Sequence, residues 1–326
     1  MPTCAEIRQV FRSDEGRGSR GSNGFGRVTR TLVTGAAGFT GRYLTTLLAE
    51  RGHEVHAVVH FDPDQPVAGA TSLHTADLAD HAAMQGVVGE VLPDYVVHLA
   101  AIAFVGHDDI AEMYRANIVG TRQLLDALAR SKHTPRSVII ASSANVYGNA
   151  RSGVLDEAMT PAPANDYGVS KLATEHIGRI YGDRLPIITV RPFNYTGVGQ
   201  STSFLIPKIV DHVRRRAPYI EMGNTDVARD FSDVRTVVDA YARLLATPTA
   251  VGGTFNICSG HAVTLREVLD AVGKLGDHVP EVRINPALVR ADEVKTLSGS
   301  SSRLEAVIGN LDRIELTETL RWMLAG

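Results

Sequence analysis

LVTGAAGFTG, residues 32–41, sets Gly35, Gly38 and Gly41 between an aliphatic run and a helical stripe. Glycines so placed allow a tight turn, close approach of backbone to a pyrophosphate, and packing of helix on strand. A helix starting there offers free N–H groups and a positive dipole end to phosphate. The following FTGRYLTTLLAERG carries Phe39, Tyr43 and Leu47 on one stripe, with Leu44 and Leu48 beside it. Gly52 stands where a C′ residue closes that helix.

Outward from this loop, brief β-branched or aliphatic runs recur at Thr31–Thr34, Val55–Val59, Tyr95–Leu99, Val138–Ala141 and Ile187–Val190. Such runs suit strands buried on both faces of a parallel sheet. Strand, helix, strand, repeated, predicts an α/β fold of the Rossmann type, a doubly wound parallel sheet. In that context the loop predicts a dinucleotide site at Gly35, Gly38, Phe39 and Gly41. After Arg191 the pattern loosens into segments read as loops, PFNYTGVGQ and EMGNTDVARDF. A further strand, Thr254–Cys258, leads to a helix opened by Thr264, with Glu267 completing a capping box.

Composition removes several classes. Among 326 residues, 44% are hydrophobic and 21% charged, the balance of a soluble globular protein. No stretch approaches the roughly 20 apolar residues of a membrane helix. A net charge of −3 gives no footprint for nucleic acid or anionic lipid. Two cysteines, Cys4 and Cys258, exclude a disulfide framework, which suits a reducing cytoplasm. His53, His56, His74, His81 and His98 lack metal-ligand spacing, so no metal is expected, and His98 reads as a satisfied core residue. Residues 1–27 are Gly/Ser/Arg-rich toward their end and read as a disordered tail.

Cofactor choice turns on the end of the second strand. An acid there accepts hydrogen bonds from the adenosine ribose of NAD. Here the place is Val59-His60-Phe61, and Asp62 comes late. Without a carboxylate there is no repulsion against a 2′-phosphate, which His60 can approach. This favours NADP(H), with NAD(H) as the alternative.

DYGVSK places Tyr167 and Lys171 four residues apart, on one face of a helix. An ammonium beside a phenol lowers its pKa and fits it for proton transfer near neutrality. Upstream, SVIIASSANVYG reads as a buried strand ending in two serines at the carboxyl edge of the sheet. A hydroxyl there can bond the oxygen that Tyr167 protonates.

TGAAGFTG, YVVHLAA, SSANVYG, YGVSK and RPFNYTG, in this order, resemble the extended short-chain dehydrogenases/reductases that act on nucleotide sugars. The likeness runs from about residue 29 to the end. It implies Ser143, Tyr167 and Lys171 as the catalytic set, Tyr167 being the acid/base and Lys171 the ligand of the nicotinamide ribose. It also implies Asp77 and Leu78 at the adenine, Ala100 and Ala101 along the cofactor, and Asn117 in a structural or water-relay role. Asn194, Lys208, Arg229, Arg290 and Glu293 are implied at the nucleotide diphosphate end of the substrate. Residues 28–194 with about 231–262 would form the NAD(P)-binding domain. About 195–230 with 263–326 would form a smaller, interleaved nucleotide-sugar lobe.

Dehydratases of the family carry an Asp-Glu pair after the catalytic hydroxyl, where this chain has Ala144 and Asn145. Dehydration is therefore not expected. Bifunctional epimerase-reductases use an extra Cys/His pair, which is not expected here either. VRPFNYTGVGQ, GNTDVARDFSDVRTVVDAY, FNICSG and RADEVKTLSGSSSRLEAVIG resemble the GDP-4-keto-6-deoxy-mannose reductases. The resemblance implies NADPH-dependent 4-ketoreduction of a GDP- or dTDP-linked 4-keto-6-deoxyhexose in deoxysugar or antibiotic biosynthesis. An NAD-dependent nucleotide-sugar 4-epimerase and a non-catalytic NAD(P)-binding sensor stand as alternatives. A homodimer is implied, built on the helices after Asp109 and around Tyr167.

Overall fold

The computed structural model describes residues 28–103, 109–149, 153–288 and 294–326. Its chain divides into two compact units. One runs to Ala141 and adds Thr174–Ile188 and Tyr241–Gly252; the other holds Ser142–Ala173, Thr189–Ala240 and Gly253–Gly326. These limits fall elsewhere than residue 194, because the chain changes unit at the carboxyl end of a central strand.

In the first unit, β1 (Arg30–Thr34) pairs in parallel with β2 (Glu54–Val59). β3 (Ser72–Thr75) pairs with β2, β4 (Tyr95–His98) with β1, and β5 (Ser137–Ala141) with β4, all parallel. β6 (Gly153–Leu155) belongs to the second unit. β7 (Ile187–Pro192) starts in the first unit as β5's other neighbour and continues into the second. The strand order β7-β5-β4-β1-β2-β3 has its reversal at β1, as a doubly wound sheet does. Leu32, Val58, Val96, Val138 and Ile140 from these strands share a core with Met84, Val88, Leu124 and Leu128 from helices His81–Val91 and Gly120–Arg130. Helix Phe39–Glu50 buries Tyr43, Leu44, Leu47 and Leu48, the expected stripe, and Gly52 comes just after it at φ +80°.

The second unit carries β8 (Asn194–Thr196), β9 (Tyr219–Met222), β10 (Ala228–Asp233), β11 (Thr254–Ile257), β12 (Ala262–Thr264), β13 (Glu281–Ile284) and β14 (Thr296–Gly299). β11 pairs with β7 in parallel, while β12-β10-β14-β6 form a smaller sheet to which β8 adds. Helices Leu205–Arg214, Leu265–Leu275 and Leu316–Ala325 bring Ile209, Val213, Val268, Val272 and Leu320 into a second core. Thr264 and Glu267 form the reciprocal cap at the start of the middle helix.

Two segments expected as loops contain strands. NYT is β8, and ARDFSD is β10. β10 is polar in sequence yet buried, because its carboxylates have fixed partners. Asp230 accepts from the Ser259 N–H and hydroxyl (2.8 and 2.7 Å) and from the N–H groups of Gly260 and Gly299 (3.0 and 3.1 Å). Asp233 takes a bidentate bond from Arg235 (2.8 and 2.6 Å) and one from the Thr319 hydroxyl (2.7 Å). No described helix is long and apolar enough to cross a membrane.

Candidate active site

The glycine loop lies at the carboxyl end of β1. A Cβ on Gly35 would stand 2.7 Å from the Ala100 nitrogen, and φ there is +69°. A Cβ on Gly41 would strike the Gly35 carbonyl and Ala36. Helix Phe39–Glu50 begins at Gly38 with no side-chain cap and no acid in its first turn. Gly38 itself has no side chain to bond the N–H groups of the first turn. This cradle suits the diphosphate of a dinucleotide.

Other residues expected at the cofactor lie in the same unit. Phe39 packs edge-on to Tyr43, ring centroids 5.6 Å apart. The Ala100 N–H donates to the Thr34 hydroxyl at 3.3 Å, and Ala101 is half-buried. Leu78 packs against the first core, and Asp77 accepts from the Ala79 N–H (2.9 Å) and from Arg115 (2.6 Å). Burial opposes ionisation of Asp77, but its bonds from Arg115 and Ala79 prevail and hold the carboxyl below its usual range. Asn117 sits in a π-helical turn, Arg115–Val119, and ties down the Ile102 N–H (2.8 Å) and carbonyl (3.2 Å). His98 bonds Thr34 (2.7 Å) and Thr121 (2.9 Å), a satisfied core histidine.

The candidate catalytic side chains gather in the second unit. Beyond β5, the Ser142 N–H donates to the Val190 carbonyl at 2.8 Å, fixing the entry to Ser143. Ser143 is extended and caps the 3₁₀ turn Ala144–Tyr147. Its Oγ accepts from both the backbone N–H and the side-chain amide of Asn145, each at 3.1 Å. A hydroxyl has two acceptor sites and one proton. With both acceptor sites taken, Ser143 is left as a donor.

Tyr167 and Lys171 lie on helix Asp166–Tyr181, both buried, with the Lys171 Nζ 5.9 Å from the Tyr167 ring centre. The structure corrects one expectation here. Burial pushes the Tyr167 phenol above its ordinary range, neighbouring Tyr195 adds to this, and a bond with Ser143 opposes it. Burial draws Lys171 down to about 8. Desolvation penalises the charged form of each, which outweighs the depression of the phenol expected from spacing alone.

Three residues were missed as parts of this site. Asn145 entered only as a missing carboxylate, yet it orients Ser143. Tyr195 adjoins Tyr167 and was visible as the aromatic of NYTG. Tyr147 anchors the serine loop: its hydroxyl donates to Asn256 (2.7 Å) and accepts from the buried Arg191 (3.0 Å), whose guanidinium lies 4.9 Å from the Tyr147 ring centre.

Substrate candidates scatter more. Asn194 donates to the Asp230 carbonyl at 3.3 Å, and Arg229 donates to the carbonyls of Ala228 and Val294, both at 2.9 Å. Asn194 thus adjoins β10, and Arg229 lies on it. Lys208 donates to the Glu221 carbonyl (2.7 Å) in a different place, a surface cavity of about 510 Å³ shared with Arg215 and Tyr219. Arg290 and Glu293 lie outside the described residues, as do the tail and Cys4. Cys258 is buried, and burial, then Asp230, push its thiol pKa up. Among the described residues no group of three or more His, Cys, Asp or Glu is placed to hold a metal.

The parallel α/β sheet, the glycine cradle and the Ser143/Tyr167/Lys171 set define a protein of the extended short-chain dehydrogenase/reductase class. Within that class the chain belongs to the GDP-mannose 4,6 dehydratase family, whose model matches residues 32–323. The GDP-6-deoxy-D-talose 4-dehydrogenase of Aggregatibacter actinomycetemcomitans is 34% identical, covering 86% of this chain and 92% of that one. The GDP-6-deoxy-D-mannose reductase of Pseudomonas aeruginosa is 33% identical, covering 91% and 96%. Among solved structures, one from Burkholderia cenocepacia, provisionally named an epimerase, is 48% identical with a TM-score of 0.87, covering 92% and 98%. RMD from Pseudomonas aeruginosa complexed with NADPH is 31% identical with a TM-score of 0.78, covering 91% and 97%.

Proposed function

We propose that this chain reduces the C4 keto group of a nucleotide-linked 4-keto-6-deoxyhexose, with NADPH as the reductant. The observation that carries the reading is Ser143 followed by Ala144 and Asn145, with both acceptor sites of the serine oxygen filled by Asn145. A site that must remove water from a sugar needs a further acid and base beside that hydroxyl. At Ala144 and Asn145 this one offers two N–H groups and no carboxylate. The names of the two GDP-sugar relatives favour a GDP-linked substrate over a dTDP-linked one.

In this reading the first unit holds the dinucleotide and the second the sugar nucleotide. Bound NADPH would supply a hydride to the carbonyl carbon. Ser143 donates its proton in a hydrogen bond to the carbonyl oxygen and so stabilises the charge developing there. Tyr167, kept protonated by burial, delivers its proton to that oxygen. Lys171 holds a positive charge beside the phenolate left behind and offers donors to the nicotinamide ribose. Asn194 and Arg229 are assigned to the substrate's nucleotide end, as are Arg290 and Glu293.

The test is incubation with NADPH and GDP-4-keto-6-deoxy-mannose, following loss of the reduced-nicotinamide absorbance. Stoichiometric oxidation with formation of a C4 alcohol supports the proposal. No oxidation, with interconversion of C4-hydroxy sugars, would establish the NAD-dependent 4-epimerase instead. That second reading draws on the similarity to the Burkholderia structure. A cytoplasmic homodimer belongs to the same proposal; Ile180, 71% exposed on the helix that carries Tyr167, supports an apolar contact there.

A further inference from the structure

A cavity of about 460 Å³ in the first unit is bounded by the glycine loop, Arg42 and the residues just after β2. Arg42 stands in the first turn of helix Phe39–Glu50, where the helix dipole disfavours a cation. No acid in that turn offsets it. Its Nε–H donates to the Ala37 carbonyl at 2.9 Å, which pins the guanidinium to the loop. His60, the first residue beyond β2, lines the same cavity, with Phe61 packed edge-on at 4.1 Å between ring centroids. A half-buried cation placed against its helix dipole, on a cavity that an imidazole also lines, calls for an anionic ligand.

In a sheet of this kind the pyrophosphate lies on the glycine loop and the adenosine ribose at the end of the second strand. A group on the ribose 2′ oxygen then falls between the two, in the cavity that Arg42 and His60 both line. We infer that Arg42, assisted by His60, is the clamp for the adenosine 2′-phosphate and sets the preference for NADP(H). This rests on the proposed cofactor and names the residue that selects it. Asp62 and Asp64 also line the cavity, both exposed on the loop after β2. If Asp62 bonded the ribose diol, the site would read NAD instead.

The test titrates the full chain calorimetrically with adenosine 2′,5′-bisphosphate and with 5′-AMP. The wild type should bind the bisphosphate more tightly. Arg42→Gln should lose roughly ten- to hundredfold of that affinity, the worth of charge-assisted bonds to phosphate, with 5′-AMP affinity unchanged. Arg42→Lys should keep part of the preference, and Asp62→Asn should leave 5′-AMP binding intact. Equal affinities in the wild type would overturn both the clamp and the NADPH reading. A wild-type preference that survives Arg42→Gln would overturn the clamp alone. Loss of 5′-AMP binding in Asp62→Asn would hand the ribose to Asp62 and refute the assignment. Retained 5′-AMP binding by Arg42→Gln and Arg42→Lys shows that both variants fold.

Discussion

Replacing Lys171 by methionine should make the protein more stable and nearly inactive. The side chain is 5% exposed, and burial draws its pKa from the 10.5 of a free lysine to about 8. At about 1.4 kcal/mol per tenfold change, keeping that ammonium in the fold costs about 3.5 kcal/mol. Methionine fills a similar volume without the charge, and such exchanges of buried charge for apolar bulk are often stabilising. The pH dependence comes from linkage. Below pH 8 Lys171 is charged in folded and unfolded chains, and the whole cost is present. Between about 8 and 10.5 the folded chain sheds the proton while the unfolded chain keeps it, so wild-type stability from this group rises with pH. Above 10.5 both states are neutral and the cost is gone. Lys171→Met should therefore raise Tm on the order of 5 °C at pH 7, and the gain should shrink steadily toward pH 10. Thermal unfolding of both proteins by circular dichroism across this range decides the matter. A gain independent of pH, or a loss of stability at pH 7, would refute the reasoning.

Tyr167→Phe removes the proposed proton donor, so turnover should fall roughly a hundredfold or more while NADPH still binds in a fluorescence titration. Asn145→Asp exchanges a donor for an acceptor beside Ser143. The serine proton should then turn to the new carboxylate, cutting kcat by roughly a hundredfold with little change in KM, measured in steady-state kinetics. Arg191→Met leaves the buried Tyr147 hydroxyl short of a charged donor, so urea unfolding should show a loss of about 2–3 kcal/mol.

How much could be read from the sequence depends on how local the cause is. β1, β2, β4, β5, β7 and β11 are aliphatic runs because both their faces are covered, and their own residues announce it. β3 (SLHT) escaped notice because it is an edge strand whose residues alternate between half-buried and exposed. β10 escaped for another reason. Its Asp230 and Asp233 look like loop residues until Ser259, Gly260, Gly299, Arg235 and Thr319 arrive from other parts of the chain to satisfy them. Among site residues, the Tyr167–Lys171 spacing was plain, since one helical turn fixes it. The direction of the tyrosine's pKa was not, since burial is set by everything packed around it. Arg42 drew no reading of its own from FTGRYLTTLLAERG, and only the cavity beside it distinguishes it from a solvated arginine.

The family is named for a dehydratase, and the chain's fold agrees with that family over residues 32–323. Its chemistry need not agree, because a shared sheet and glycine loop fix where hydride is exchanged but not the steps after hydride transfer. Those later steps depend on the groups around the sugar oxygen. A dehydratase must add proton-accepting capacity beside the serine. Here Asn145 does the reverse: it occupies the serine's lone pairs with its own N–H groups and leaves the one proton, which here bonds Tyr167. Lys171, held at a cost in the fold, and Tyr167, kept neutral by the same burial, complete a proposed site in which Ala144 and Asn145 add no base beside the serine. Such a site suits an enzyme that stops at the alcohol.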